Sequence, residues 1–129
     1  MLARYQIERG AKLSSLPREV REGVRQDTRK HTRHVLRPPT ELVTAFLAAP
    51  NAPGAWTSLA KKYRATLEQR FKSERGKFDE LAETAQEQDV FLGCSCPTTK
   101  NPSVEHCHTW LALEFMHEKY PNLKVRFPS

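Results

Sequence analysis

Apolar and polar side chains alternate in short stretches near both ends of the chain, as they do in half-buried β-strands. One stretch covers residues 4–8 and the other covers residues 123–127. Between them, a continuous apolar run over residues 90–92 leads into a glycine and is typical of a strand covered on both faces. The pattern therefore predicts three strands, of which the middle one in the chain is the most buried.

Apolar positions spaced by three and four residues predict helices in the middle of the chain. The clearest amphipathic helix runs from Trp56 to Phe71, and Gly76 is expected to break it. A further helix begins around Phe78 and ends near Gln88.

Three other helices are indicated by their boundary residues. A polar, basic helix is expected over residues 17–30, because proline suits a first helical turn. A short helix follows Thr40, a suitable N-cap, and the last helix runs from Ser103 to about Tyr120. Strands that alternate with helices favour right-handed crossovers. We therefore expect a single α/β domain over residues 1–129, a three-layer sandwich with a small, mostly parallel sheet flanked by helices.

Positive charge is concentrated at the start of the chain. The 129 residues carry a net charge of +6, with 38% hydrophobic and 28% charged residues. Residues 1–40 hold ten Lys/Arg and four Asp/Glu, which accounts for the whole excess. The densest part contains Arg25, Arg29, Lys30, Arg33 and Arg37. Such a segment can bind nucleic-acid phosphates, but no aromatic residues interleave with it, so a solvated face is the simpler interpretation.

Composition also excludes some classes of protein. No apolar run approaches the roughly 18 residues of a transmembrane helix, and charged residues interrupt the N-terminus where a signal peptide would be apolar. We therefore expect a cytoplasmic protein with no membrane partner. Three cysteines in a reducing compartment are more often buried thiols, metal ligands or reactive thiols than disulfides.

The residues that could carry chemistry surround the last helix. Cys94 and Cys96 follow the buried strand, and Cys107 lies near the start of the next helix. Ligands of α/β sheets gather at strand carboxyl ends beside a helix N-terminus, which favours anions. Residues that could bind a ligand there are Ser103, His106 and Thr109.

Three interpretations of the cysteines remain open. In the first, Cys107 is a reactive thiol, Cys96 is its partner and His108 is the acid/base group. In the second, the three cysteines and His108 bind zinc; His106 would point about 200° away from His108 on a helix. In the third, Cys107 is only a small buried residue of the core.

The remaining histidines and the last helix suggest further expectations. His31, His34 and His117 have no ligand-like spacing with the cysteines, so we expect them at the surface. The last helix is apolar nearly all round, with Trp110 and Leu113 off its main apolar stripe. Either a second layer or another copy of the chain, in a homodimer, must cover it.

At these positions the chain resembles the domain of unknown function 488 family. The matching residues are Val35-Leu36-Arg37-Pro38-Pro39-Thr40-Glu41-Leu42, Trp56, Tyr63, Leu67, Phe78, Leu81, Ala82 and the Cys107-His108 pair. The resemblance covers residues 33–117 and implies an α/β sandwich with a mainly parallel sheet; it implies no activity. Residues 41–129 form the family-like core, and residues 1–40 form a basic N-terminal segment with the first strand and helix. Many members have arginine where this chain has Thr109. If that arginine binds an anion in those members, this chain either supplies the charge differently or lacks the function.

The leading hypothesis is that the protein binds an anionic small molecule or nucleotide at the Cys/His cluster and has thiol chemistry there. The alternative is a non-catalytic module, stabilised by zinc or binding nucleic acid through residues 25–37. A further alternative is a dimeric interaction protein. The sequence leaves open whether the protein is an enzyme.

Overall fold

Three parallel strands form the sheet of the computed structural model, which describes residues 1–128. They are β1 (Leu2–Gln6), β2 (Val24–Asp27) and β3 (Val90–Cys94), in the order β1-β3-β2. Every residue of β3 is buried, as its continuous apolar run predicts. Because all three strands run the same way, their carboxyl ends meet at one edge of the sheet.

Five α-helices connect and cover the strands. They are α1 (Arg18–Glu22), α2 (Thr40–Ala48), α3 (Ala55–Ser73), α4 (Arg75–Glu87) and α5 (His108–Lys119). Short 3₁₀ turns lie at Leu13–Ser15 and Val104–His106. The helix predicted over residues 56–71 is α3, but it ends before Glu74, and Gly76 lies inside the first turn of α4.

The two faces of the sheet are covered unequally. Leu2, Val90 and Leu92 face a large core that they share with α3, α4 and α5. On the other face, Ala3 and Phe91 contact Val20 of α1 in a much smaller cluster. The result is the expected α/β sandwich of three layers, in which one helical layer is thin.

The helix predicted over residues 17–30 is wrong in its second half. Helix α1 ends at Glu22, and the chain continues as β2 after Gly23. A Cβ atom on Gly23 would lie 2.6 Å from the ring of Phe91, so glycine is needed for the close approach of this turn to β3. Tertiary packing thus outweighs the helical spacing of Val20 and Val24.

The last helix also begins later than predicted. Ser103 precedes a 3₁₀ turn, and α5 starts at His108 with Cys107 as its extended N-cap residue. The apolar residues of α5 are covered within the same chain. Leu113 is fully buried, and Trp110 packs on Phe127, with 5.1 Å between ring centroids.

The predicted closing strand is reduced to one parallel bridge, between Leu2 and Val125. Leu2 donates to the carbonyl of Lys124 over 2.8 Å, and Arg126 donates to the carbonyl of Leu2 over 2.9 Å. This C-terminal segment covers the outer edge of β1. No helix in the described part of the chain is long and apolar enough to cross a membrane.

Candidate functional site

Three thiols meet at the carboxyl edge of the sheet. Cys94 is the last residue of β3, Cys96 follows in the loop, and Cys107 returns to them as the N-cap of α5. Their sulfur atoms lie within 4.8 Å of one another, and those of Cys94 and Cys107 are 3.3 Å apart. Cys94 and Cys107 are buried, whereas Cys96 is half-buried.

The imidazole of His108 completes this cluster from the first turn of α5. Its Nδ1 lies 3.7 Å from the sulfur of Cys94 and 3.9 Å from that of Cys107. Its Nε2 lies 2.8 Å from the hydroxyl of Thr28, a fully buried residue that follows β2. The edge of the Tyr63 ring packs on the imidazole, with centroids 5.9 Å apart. His108 is therefore held on several sides, with one nitrogen facing the thiols.

Three further side chains hold the cysteines from outside. The hydroxyl of Thr109 donates to the sulfur of Cys107 over 3.2 Å and accepts from Nε of Arg4 over 3.0 Å. The same guanidinium donates to the carbonyl of Cys96. Asn101, also buried, donates to the sulfur of Cys96 over 3.4 Å. Arg4 thus brings a positive charge to the cluster from the strand β1.

A pocket of about 270 Å³ opens beside the cluster. One wall contains Cys94, Cys96 and His108, and a second contains Arg29, Lys30 and His31 from the loop after β2. Apolar side chains and loop residues complete the lining: Pro38, Val43, Leu47, Ser95, Thr98 and Asn101. Cys107, only 2% exposed, is not part of this lining. The fold thereby brings together the basic segment and the thiols, which are far apart in the sequence.

A family model matches residues 6–120, which include most of the sheet, all three cysteines and the whole of α5. The family is described as the active DUF488-N3 subclade, DUF488-N3a. The chain belongs to the DUF488-N3a family. The resemblance read from the sequence is therefore confirmed. Neither curated proteins nor solved structures give a significant match to this DUF488-N3a chain.

Only part of the residue set predicted at the helix start contacts the cluster. Thr109 does so through its hydroxyl. His106 instead points outward and stacks on Trp56, with 4.8 Å between ring centroids. Ser103 caps the preceding 3₁₀ turn only through its carbonyl, which accepts from the N–H of His106. Neither Ser103 nor the His106 ring contacts the thiols.

The basic segment of this DUF488-N3a protein is not one helical face. Arg25 lies on β2 and donates to two carbonyls of α1, whereas Arg29 pairs with Asp27, with 2.8 Å between the charged groups. Arg37 donates to the carbonyl of His34. Lys30 and Arg33 are exposed and form no ion pair within residues 1–128. Of the cations at the pocket, Lys30 is thus the one not already engaged with a carboxylate.

The three thiols do not ionise alike. Hydrogen bonds from Cys94 and Cys96 hold the pKa of Cys107 well below its usual range, although burial opposes this. The same hydrogen bonding to Cys107 raises the pKa of Cys94, and it raises the pKa of Cys96 to about 11. Of the three thiols, Cys107 is therefore the one most readily deprotonated, with Cys94 and Cys96 as its hydrogen-bond partners.

Sequence reasoning missed Arg4, Thr28 and Asn101. Arg4 and Thr28 reach the cluster across 105 and 80 residues of sequence. Only Asn101 carried a usable signal, because it lies in the loop between the cysteines. The cysteines and His108, by contrast, are all brought together as their spacing predicted.

Proposed function

We propose that this protein binds a small anionic ligand, such as a nucleotide, in the pocket beside the cluster and acts on it through a cysteine thiol. The observation that supports this most is that one pocket is lined both by Arg29, Lys30 and His31 and by Cys94, Cys96 and His108. Cations attract the anion, and a thiol beside a histidine is a common nucleophile–base pair. The description of the family as active also favours catalysis.

Each wall of the pocket has a part in the proposal. Lys30 and Arg29 would face the phosphate or carboxylate, while Pro38, Val43 and Leu47 would pack on an apolar moiety such as a base. A volume of about 270 Å³ is just under the usual range of ligand pockets, which favours a small ligand.

The thiol that lines the ligand pocket is not the thiol that ionises most readily. Cys107 is expected to carry the thiolate, but Cys96 lines the pocket. Transfer of the Cys96 proton to Cys107 would place the negative charge on the sulfur that lines the pocket. Nδ1 of His108, 3.9 Å from the sulfur of Cys107, would then accept that proton. Cys107, Cys96 and His108 thus remain the reacting residues that the sequence suggested, and each has a different role.

The binding step is tested by titrating the protein with adenosine 5′-monophosphate and with inorganic phosphate, followed by calorimetry. We expect Lys30→Gln to weaken binding about 10- to 100-fold, the value of roughly one hydrogen bond to a charged group. Lys72→Gln, a change of an exposed lysine on α3, is the matched control and should leave binding unchanged. Equal losses in both variants, or no binding of either ligand, would refute the anion site.

A second function, a structural zinc site, is favoured by the distances in the cluster. Four tetrahedral ligands of zinc, with Zn–S bonds near 2.3 Å, lie about 3.7 Å from one another. The separations among Cys94, Cys107 and His108 are 3.3, 3.7 and 3.9 Å, which fit such a site. The sulfur of Cys96 lies within 4.8 Å of the other two sulfur atoms and would complete the ligand set. Zinc would deprotonate all three thiols and leave none free as a nucleophile.

Elemental analysis together with iodoacetamide alkylation separates the two functions. One zinc per chain with three slowly reacting thiols would support the structural metal site and exclude the thiol mechanism. No metal and a fast-reacting Cys96 would support the thiol mechanism instead. Mass spectrometry of the alkylated peptides identifies which cysteine reacted.

A further inference from the structure

Thr28 is a polar residue with no exposed surface, placed between β2 and the basic loop. Its hydroxyl lies 2.9 Å from the carbonyl oxygen of Gly93 and 2.8 Å from Nε2 of His108. Its backbone N–H also donates to Gly93, over 3.0 Å. Thr28 thus connects the end of β3 to the imidazole that faces the thiols.

The two contacts of this hydroxyl decide which nitrogen of His108 carries a proton. A carbonyl oxygen can only accept, so the single hydroxyl proton of Thr28 is used in the bond to Gly93. The contact with Nε2 then requires that Nε2 itself donates. In a neutral imidazole, Nδ1 is therefore unprotonated, and it is the nitrogen that faces Cys94 and Cys107.

We propose that Thr28 is a positioning residue, which holds His108 in the form protonated at Nε2 and so turns an unprotonated Nδ1 towards Cys94 and Cys107. This inference rests on the proposed thiol function. The opposite tautomer would present an N–H to the two sulfur atoms instead. Because His108 is only 7% exposed, water does not readily replace the hydroxyl as partner of Nε2.

The tautomer is measured directly by ¹⁵N–¹H correlation spectroscopy of histidine-labelled protein, after its metal content has been determined. We expect the ring of His108 to show a protonated Nε2 and an unprotonated Nδ1. A neutral ring protonated at Nδ1 in the wild-type protein would overturn the proposal without the use of any variant.

The role of the hydroxyl is tested by Thr28→Val, which keeps the shape of the side chain, and by Thr28→Ser, which keeps the hydroxyl. Thr28→Val should shift His108 towards the Nδ1–H tautomer, because Nε2 then loses its hydrogen-bond acceptor. Thr28→Ser should keep the tautomer of the wild-type protein. Thr84→Val, which removes a helix-surface hydroxyl bonded to its own helix, is the matched control.

The outcomes separate this inference from the proposed function. An unchanged tautomer in folded Thr28→Val protein would overturn the role of Thr28 while leaving ligand binding intact. A shifted tautomer in a protein that binds neither adenosine monophosphate nor phosphate would uphold Thr28 and refute the anion site. If Thr28→Val does not fold, the wild-type tautomer decides.

Discussion

At the scale of single residues, His34 shows how burial changes the behaviour of an ionisable group. Its Nε2 lies 2.7 Å from the side-chain oxygen of Gln26, and its Nδ1 accepts from the N–H of Leu36 over 3.0 Å. The sequence placed this histidine at the surface, but the structure half-buries it behind β2. Burial is the main cause that lowers the pKa of His34, to about 4.

We expect His34 to make stability depend on pH between about 6.5 and 4. The folded protein holds this imidazole neutral, while the unfolded chain protonates it near pH 6.5. The contribution of His34 to the free energy of unfolding is therefore complete above pH 6.5 and decreases as the pH falls towards 4. Urea unfolding of wild-type protein and His34→Gln at several pH values should show their difference shrinking by about 2 kcal/mol over this range.

Carboxylates titrate in both proteins, so only the difference between them reports on His34. His117→Gln, a change of an exposed histidine of α5, serves as the control and should follow the wild-type curve. A difference that stays constant from pH 7 to pH 4 would contradict the assignment.

At the scale of elements, periodicity was informative where one face of an element is simply apolar. Helix α3 was predicted because residues such as Tyr63 and Leu67 repeat with the helical period, and strand β3 because its apolar run is continuous. The prediction of one helix over residues 17–30 was wrong because Gly23 is needed for its close contact with Phe91, a residue far along the chain. Helical spacing alone does not reveal such an approach.

Two glycines that both adjoin helices should respond oppositely to alanine. Gly23→Ala places a methyl group 2.6 Å from the Phe91 ring, and we expect it to destabilise the protein by about 1 to 3 kcal/mol. Gly76→Ala meets no atom within 4 Å inside α4, and we expect a gain of up to about 1 kcal/mol. Urea midpoints of the two variants test this; shifts of the same sign would contradict it.

At the scale of the whole molecule, the cysteine cluster could be predicted from the sequence, but the residues that hydrogen-bond to it could not. Cysteines at a strand end and at a helix start must converge in a parallel α/β fold, so Cys94, Cys96 and Cys107 could be placed together. Arg4 and Thr28 join them only because β1 and β2 end beside β3. No local pattern distinguishes these two residues from ordinary strand residues.

The depth of the thiols within the fold should also be measurable. Cys107 is 2% exposed, so its alkylation by iodoacetamide requires opening of the surrounding structure. We expect its rate to rise with urea as steeply as global unfolding does, while half-buried Cys96 reacts in the native state with little dependence on urea. Parallel urea dependences for the two cysteines would show that the loop and α5 open together.

The strand order β1-β3-β2 determines when the sheet can form. The first two strands never pair with each other, so neither has a partner until residues 90–94 have been made. A ribosome that adds about 5 to 20 residues per second leaves β1 unpaired for several seconds. Closing such long loops late makes assembly of the sheet slow compared with formation of the helices. The strand that carries Cys94 is thus also the one whose arrival commits the chain to its native fold.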